Sequence, residues 1–273
     1  MIDLHLHTTA SDGRLSPEAL VNVAAGVGLR TLAVADHDTV GALDRTARAC
    51  SDAGIAWVPG IEITSIRDKV DLHILGYFFD HRSPALTTFL AEQVADRQRR
   101  LCEMIARLAA LGLPISLEEV LGGRERSGTS WVGRPLLAAA LVRKGYVGST
   151  TEAFERYLAE DGAAFVPRRA EGPAAVIGLI HEAGGLASLA HPGLNRRDEW
   201  IESLAASGLD AVEVYYSQHT PEMTGRYHDL ARRLGLAMTG GSDYHGGSSS
   251  HGPAAPGATT LPDEAFANLK ARL

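Results

Sequence analysis

The chain has very little cysteine. Only Cys50 and Cys102 occur among its 273 residues; they are far apart and belong to no CxxC pattern. This scarcity argues against a disulfide framework and against a zinc site held by cysteines. Few and isolated cysteines are typical of proteins from a reducing compartment, so we predict a cytoplasmic location.

Positive charge and long apolar runs are also scarce. The 26 basic residues are outnumbered by 33 acidic ones, and the net charge of -7 argues against a broad nucleic-acid-binding face. A local basic pocket stays compatible with this charge. No apolar stretch approaches the ~20 residues of a membrane span, and no basic segment with an apolar run opens the chain. We therefore predict no membrane association and no signal peptide, and nothing in the sequence indicates an obligate protein partner.

The chain instead contains a repeated alternation of short apolar strands and helical patterns. Strands are predicted at residues 2–6, 31–36, 56–60, 71–78, 186–190, 211–215 and 236–240. Ser16 has the character of a helix N-cap, with Pro17 at the first helical position. The alternation predicts a mainly parallel sheet with crossover helices, and seven such strands predict an α/β barrel or a partly closed relative of one.

The alternation of strands and helices is interrupted in the middle of the chain. Residues 84–166 carry mostly helix and turn signals, and we interpret them as a helical insertion. The predicted organisation is thus a barrel formed by residues 1–83 and 167–273, with the insertion as a substrate-capping subdomain.

The first strand carries two histidines where a core strand would carry apolar residues. His5 and His7 are two positions apart and therefore point to the same side of the strand. Burying two imidazoles without partners is costly, and a metal ion removes that cost for both. Asp12 follows shortly after and is a further candidate ligand.

Similar side chains follow or occupy the other predicted strands. They are Asp36, His37 and Asp38 in "ADHDT", Glu62 at the predicted end of the third strand, His73 in the fourth, His191 in "AHPG", and Asp243 and His245 in "GSDYH". Singly, each has an ordinary structural explanation, such as a core histidine or a polar strand end. Because the strand ends of an α/β barrel converge on one face, the repetition predicts a common metal site. The set is too large for one ion, so we predict two or three ions of Mn, Zn or Fe.

These motifs resemble the PHP (polymerase and histidinol phosphatase) family, which is close to the amidohydrolase superfamily. "DLHLHTTASDG", "ADHDT", "AHPG" and "GSDYH" resemble its four motifs in order, and Glu62 and His73 fall where the family has its other ligands. The resemblance implies a distorted (βα)7 barrel with three divalent ions, Mn²⁺ foremost and Zn²⁺ or Fe²⁺ as alternatives. It groups the ligands as His5, His7, Glu62 and Asp243 for one ion, Glu62, His73 and His191 for a second, and Asp12, His37 and His245 for a third.

Within the family, the helical insertion and the stretch "GRPLLAAALV" at 133–142 resemble stand-alone phosphoesterases that act on 3',5'-nucleotide bisphosphates. The resemblance implies that a metal-bridging hydroxide releases the 3'-phosphate and leaves a 5'-mononucleotide. Alternatives are a 5'-3' exonuclease on short 5'-phosphorylated RNA and a histidinol phosphatase. A non-enzymatic scaffold is a further alternative, but such a module would be expected to have lost ligands.

Residues outside the predicted ligand set are candidates for catalysis and substrate binding. Arg134 precedes Pro135, so its guanidinium and a helix N-terminus are expected to share one phosphate. Arg196 and Arg197 are candidates for a second phosphate. An exposed arginine with a solvated head group is the alternative for all three, and it carries more weight at Arg196 and Arg197 than at Arg134. His191, His219 or metal-bound water is expected to supply the proton to the leaving group, and His219 is also a candidate substrate contact. Finally, Asp36 is expected to orient His37 or its neighbours within the catalytic site.

Overall fold

The structure is a computed structural model that describes residues 1–122, 133–169, 171–247 and 255–273. The chain divides into two compact units. One comprises Met1–Thr88 with Ala170–Leu273, and the other comprises Phe89–Arg169.

The first unit is built around one seven-stranded sheet whose strands are adjacent in chain order. The strands are β1 (Ile2–Leu6), β2 (Thr31–Val34), β3 (Ala56–Arg67), β4 (Val70–Tyr77), β5 (Leu186–Leu189), β6 (Ala211–Tyr216) and β7 (Ala237–Gly241). Four of the strand pairs are parallel, whereas β4 is antiparallel to both of its neighbours. The sheet curls into a nearly closed barrel, which confirms the predicted α/β barrel class.

Helices follow most strands and form a separate bundle in the second unit. They are α1 (Pro17–Gly26), α2 (Leu43–Ala53), α3 (Pro84–Ala110), α4 (Leu117–Leu121), α5 (Arg134–Arg143), α6 (Thr150–Ala153), α7 (Pro173–Glu182), α8 (Pro192–Asn195), α9 (Glu199–Ala206), α10 (Pro221–Leu234) and α11 (Asp263–Lys270). The predicted cap of α1 is present, because the hydroxyl of Ser16 accepts a hydrogen bond from the Ala19 backbone N–H at 3.2 Å. Among the described residues, none of the helices combines the length and apolar character that a membrane crossing requires.

The third strand differs from its prediction. It runs through Glu62 to Arg67 and turns directly into β4, so the expectation that this strand ends at Glu62 is wrong. Arg67 pairs with Val70, and the two residues between them, Asp68 and Lys69, both have positive φ (50° and 67°). Two left-handed residues form the tight turn that suits a hairpin. A hairpin reverses the chain, and β4 is therefore antiparallel.

The barrel closes where β1 meets the segment after β7. The Asp243 N–H donates to the His5 carbonyl at 2.8 Å, and the His7 N–H donates to the Tyr244 carbonyl at 3.0 Å. The carboxylate of Asp3 is fully buried at the same seam and accepts from the backbone N–H groups of Ser242 (2.9 Å) and Gly257 (2.8 Å). These bonds hold the motif "DLHLHTTASDG", which begins in β1, next to the motif "GSDYH", which follows β7.

The second unit has its own apolar core. Buried side chains of α3 pack with those of α4, α5 and the following segment, among them Leu101, Met104, Leu108, Val120, Leu137 and Leu141. Burying such a cluster stabilises the unit, since the free-energy gain follows the apolar area removed from water.

Candidate metal centre

His5 on β1 and His7, the residue directly after β1, lie side by side, as their spacing predicts. Both side chains are buried, and their ring centroids are 5.1 Å apart. Their Nε2 atoms lie 3.5 Å and 3.0 Å from Oδ1 of Asp243, and 3.4 Å and 3.5 Å from Oε2 of Glu62. Two imidazoles at the end of β1 therefore face two carboxylates, one from β3 and one from the segment after β7.

Glu62 lies at the centre of the cluster. Its Oε1 is 2.9 Å from Nδ1 of His73 and 3.0 Å from Nε2 of His191, and its Oε2 is 3.1 Å from Nδ1 of His37. The carboxylate is almost completely buried. One carboxylate that faces imidazoles from both of its oxygens is an arrangement suited to bridging two ions.

Asp12 contacts three imidazoles in a more accessible part of the cluster. Its Oδ1 is 3.3 Å from Nε2 of His245 and 3.8 Å from Nδ1 of His7, and its Oδ2 is 3.8 Å from Nε2 of His37. The side chain of Asp12 is 27% exposed, whereas that of His5 is 0% exposed. Asp12 and His73, whose side chain is 24% exposed, are therefore the most accessible members of the cluster.

The structure brings all of the predicted metal ligands together. Three groups have potential ligand atoms within 4.8 Å of one another: His7, Asp12, His37 and His245; His5, His7 and Asp243; and His37, Glu62 and His73. His191 joins them through its contact with Glu62.

Several atoms of the cluster make no hydrogen bond within the described structure, although they are buried. They are Nε2 of His5, both ring nitrogens of His7, Oε2 of Glu62, Nδ1 of His73 and Nδ1 of His191. An unsatisfied buried polar atom costs roughly 1–3 kcal/mol. Metal–ligand bonds of ~2.1 Å place neighbouring ligand atoms ~3.0–3.4 Å apart. Separations of 2.9–3.5 Å without hydrogen-bond alignment thus fit divalent cations held by this cluster.

The pKa values describe a cluster whose carboxylates stay ionised. Burial raises the pKa of Glu62, but its interactions with the surrounding imidazoles, those of His37 and His73 foremost, outweigh burial and hold the pKa well below its usual range. Burial lowers the pKa of His37 to about 4, which leaves a neutral imidazole with a lone pair for an ion. Burial also lowers the pKa of His245, but the adjacent Asp12 outweighs it and raises the pKa to about 9.

Strained backbone follows three of the strands that lead to the cluster. Asp38, His191 and Asp243 have positive φ (50°, 27° and 57°), although none of them is glycine. Such conformations cost on the order of 1–3 kcal/mol each and persist where the surrounding structure imposes them. Here each of the three residues lies in a segment that follows a strand and carries candidate ligands.

The carboxylates of Asp36 and Asp38 accept hydrogen bonds from backbone and hydroxyl groups of neighbouring segments, and these bonds hold the segments in place beside the cluster. Asp36 accepts hydrogen bonds from Thr8 N–H (2.7 Å), Thr8 Oγ1 (2.6 Å) and Ser11 Oγ (2.5 Å), which holds the loop between His7 and Asp12. Asp38 accepts from the N–H of Thr64 at 2.8 Å. Asp36 therefore positions the loop that carries Asp12.

The predicted substrate residues lie in three places. His219 is half-buried; its Nδ1 lies 3.0 Å from the Val214 carbonyl, and its Nε2 accepts from the Gly193 N–H at 3.2 Å. Arg196 and Arg197 are exposed at the end of α8, and Arg197 lies over the ring of Trp200 at 5.7 Å.

The remaining candidate, Arg134, belongs to the second unit. It begins α5, and its guanidinium carbon lies 5.9 Å from the ring centroids of Phe154 and Phe165.

Sequence reasoning missed two residues of β6. Glu213 is fully buried and contacts His5 and His191, and the hydroxyl of Tyr216 donates to Oδ2 of Asp243 at 3.0 Å. A signal for Glu213 existed, because an acidic residue stands inside the otherwise apolar stretch "AVEVYY". Tyr216 carried no comparable signal, since a tyrosine in a strand is ordinary.

A barrel with a buried cluster of imidazoles and carboxylates defines a metal-dependent hydrolase. The sequence profile described as "PHP domain" matches residues 3–229, and the chain belongs to that family. It is a metal-dependent phosphoesterase, as the motifs predict.

Curated relatives and solved structures agree with this class. The chain is 36% identical over 250 residues to the "5'-3' exoribonuclease Rnm" of Escherichia coli, covering 89% of this chain and 84% of that protein. It is 30% identical over 249 residues to the "3',5'-nucleoside bisphosphate phosphatase" of Chromobacterium violaceum, covering 89% and 87%. A crystal structure from Bifidobacterium adolescentis, described as a metal-dependent phosphoesterase, superposes with a TM-score of 0.85 at 32% identity, covering 99% and 96%.

Proposed function

We propose that the enzyme hydrolyses the phosphoester at the 3'-oxygen of a 5'-phosphorylated nucleoside. The smallest substrate of this kind is a 3',5'-nucleotide bisphosphate, which yields a 5'-mononucleotide and phosphate. The observation that carries the proposal is the cluster around Glu62, in which buried imidazole nitrogens such as Nε2 of His5 and Nδ1 of His73 face carboxylate oxygens without making hydrogen bonds. The Chromobacterium relative, named a 3',5'-nucleoside bisphosphate phosphatase, supports the choice of substrate.

Short 5'-phosphorylated RNA is the second candidate substrate. The Escherichia coli relative named a 5'-3' exoribonuclease is 36% identical to this chain. The chemistry of the two substrates is the same at the reacting bond. In both, water attacks the phosphorus, the bond to the 3'-oxygen breaks, and a 5'-mononucleotide leaves. The same site can therefore serve both reactions if it recognises the 5'-phosphate.

We propose that the cluster holds three divalent ions, with Mn²⁺ as the first choice and Zn²⁺ or Fe²⁺ as alternatives. The short separations support three ligand sets: His5, His7, Asp243 and Glu62; Glu62, His73 and His191; and Asp12, His37 and His245. Ions bound there supply a nucleophile from water at neutral pH and neutralise charge on the phosphoryl oxygens.

The chain's own residues bind and orient the substrate around this centre. The partly exposed edge formed by Asp12, His37 and His73 is the side from which a phosphate can approach. Arg196 and Arg197 are proposed to bind a second phosphate because they follow His191 closely and are exposed. Independently of this centre, we propose from the sequence motif that Arg134, at the N-terminus of α5, binds a phosphate of the substrate.

The leaving 3'-oxygen needs a proton, and the geometry separates the two histidine candidates. Burial lowers the pKa of His219, and its Nε2 already accepts a hydrogen bond from Gly193. A neutral ring in this arrangement has no proton to give at Nε2. We therefore assign His219 to holding the turn that carries His191. Because His191 is itself a proposed ligand through Nε2, we propose that water, and neither histidine, supplies this proton.

We also propose a cytoplasmic location. Both cysteines are free thiols, Cys50 buried and Cys102 exposed. Free thiols, one of them exposed, are compatible with a reducing compartment.

The proposal is tested by assaying the Mn²⁺-loaded enzyme on a substrate panel. The panel comprises an adenosine 3',5'-bisphosphate, a short RNA with a 5'-phosphate, the same RNA with a 5'-hydroxyl, and histidinol phosphate. We expect the first two to be hydrolysed to 5'-mononucleotides and the 5'-hydroxyl RNA to be poor. Release of a 3'-mononucleotide from the bisphosphate would show that the 5'-phosphoester is cleaved and would contradict the proposal. A preference for histidinol phosphate would overturn the nucleotide assignment.

A further inference from the structure

Glu213 is the buried carboxylate of β6 that contacts two of the candidate ligand residues at once. Its side chain is fully buried. Oε1 lies 2.9 Å from Nδ1 of His5, and Oε2 accepts a hydrogen bond from the backbone N–H of His191 at 2.7 Å. The two residues that it contacts come from β1 and from the segment after β5, so one side chain links strands from different parts of the barrel.

The contact with His5 determines which ring nitrogen faces the cluster. Oε2 of Glu213 accepts from a backbone N–H, and we assign Oε1 the same accepting role, which places the hydrogen of the Glu213–His5 contact on Nδ1 of the imidazole. Nε2 is then the nitrogen left for an ion. This atom makes no hydrogen bond and lies 3.4 Å from Glu62 and 3.5 Å from Asp243.

The contact with His191 holds a strained backbone. His191 has φ 27° and ψ 60°, a conformation that non-glycine residues rarely adopt. The hydrogen bond from its N–H to Glu213 fixes the peptide in this conformation. With the backbone so placed, Nε2 of His191 reaches Oε1 of Glu62 at 3.0 Å.

We propose that Glu213 is a positioning residue that fixes the tautomer of His5 and the backbone of His191, so that two ligands from separate strands bind their ions together. The proposal rests on the metal centre and is independent of which nucleotide is the substrate. Carboxylates that hold the second nitrogen of a ligand histidine contribute ~10–100-fold to metal affinity in other metalloproteins.

Glutamine is the informative replacement, because it keeps the shape of Glu213 and removes one of its two acceptors. The amide has a single oxygen, and its NH₂ group donates. If the oxygen keeps the bond to His191, the NH₂ faces Nδ1 of His5 and favours the ring form with hydrogen on Nε2. That form cannot bind an ion through Nε2.

The test measures metal affinity directly. Metal-free wild-type and Glu213→Gln proteins are titrated with Mn²⁺, and we expect binding to be ~10–100-fold weaker in the variant. Asp210→Asn is the matched control, since Asp210 makes the same kinds of contact away from the cluster, with Nε2 of His181 (2.7 Å) and Ala187 N–H (2.8 Å). Wild-type affinity in the control and weaker binding in Glu213→Gln support the proposal. Equal affinity in wild type and Glu213→Gln overturns it, whereas a wild type that binds no Mn²⁺ refutes the metal centre itself.

A second measurement needs no variant and therefore survives a failure of Glu213→Gln to fold. Nitrogen-15 NMR of the Zn²⁺-loaded wild-type protein reports which nitrogen of His5 carries hydrogen. We expect hydrogen on Nδ1 and the ion on Nε2. An ion bound through Nδ1, or hydrogen on Nε2, contradicts the role of Glu213.

Discussion

Gly241 on β7 lies so close to His5 on β1 that no side chain fits between them. A Cβ at residue 241 would stand 2.4 Å from the backbone nitrogen of His5 and 2.7 Å from Oδ1 of Asp3. The absence of a side chain thus lets the last strand approach the first. Because Asp243 follows two residues later, the same approach brings its carboxylate to His5 and His7.

Gly241→Ala should therefore disrupt both the seam of the barrel and the metal centre. Overpacking of a buried site costs ~1–3 kcal/mol, and the clash here is with backbone that cannot move aside cheaply. We expect a loss of unfolding free energy in that range, measured by urea denaturation, together with weaker Mn²⁺ binding. Gly178→Ala in α7 is the control, because nothing lies within 4 Å of its Cβ and alanine favours a helix by up to ~1 kcal/mol. Equal stability of the two variants would contradict the close approach.

Tyr216→Phe should weaken the metal centre without unfolding the barrel. The hydroxyl of Tyr216 donates to Oδ2 of Asp243 at 3.0 Å, while the ring is buried and remains in the variant. Loss of such an outer contact is expected to reduce Mn²⁺ affinity by ~10-fold or more. The check is a Mn²⁺ titration of the metal-free variant beside its thermal unfolding. A lower melting temperature of the metal-free protein with unchanged affinity would show that the hydroxyl only supports packing.

Arg134→Ala should lower catalytic efficiency but not metal content. If the guanidinium binds a substrate phosphate, kcat/KM on the 3',5'-bisphosphate falls by ~10-fold or more, which corresponds to ~1.4 kcal/mol. Arg143→Ala, at the other end of α5, is the control and should retain wild-type kinetics. An unchanged kcat/KM in Arg134→Ala, with both variants folded, would remove Arg134 from the substrate site.

Removal of metal should destabilise the protein as well as inactivate it. Only the folded barrel assembles ligands such as Glu62 and Asp243, so ions bind the native state and stabilise it by mass action. An ion present at 100 times its Kd adds ~2.7 kcal/mol. We expect the melting temperature to fall after chelation and to recover with Mn²⁺, and the recovery to be smaller in His245→Ala. No change in melting temperature on either treatment would count against the centre.

The two thiols should differ in reactivity, with a defined dependence on pH. Burial raises the pKa of the Cys50 thiol to about 11, whereas Cys102 is exposed. At pH 8 a thiol of that pKa is ~0.1% thiolate, so alkylation of the folded protein is expected at Cys102 alone. The thiolate fraction of Cys50 rises with pH, and its slow reaction should accelerate towards pH 10. Mass spectrometry after iodoacetamide treatment locates the label, and rapid labelling of Cys50 at pH 8 would contradict its burial.

Local patterns were sufficient for the positions of six of the seven strands and for the type of site. His5 and His7 share a face because strand side chains alternate, which is a property of one short segment. The cap of α1 likewise needs only Ser16 and a backbone N–H three residues later. For the same reason, the motifs at 35–39, 190–193 and 241–245 indicated a metal site before any contact was known.

Local sequence patterns could not predict contacts between segments that are far apart in the chain. Glu213 and His5 are 208 positions apart, and only closure of the barrel makes them neighbours. The hairpin after Arg67 extended β3 beyond its predicted end and reversed β4, so Glu62 lies inside a strand and His73 pairs with Thr64.

By itself, the sequence determined the alternation of strands and helices, the imidazole and carboxylate ligands, and the family to which they belong. Only the tertiary structure decided that Glu62 stands at the centre, that Glu213 and Tyr216 hold the ligands from behind, and that Gly241 lets the barrel close. The physical reason is the separation along the chain over which each effect acts. Helix and strand periodicity act over a few residues, whereas a cluster drawn from six separate segments exists only when the sheet curls and its first and last strands meet.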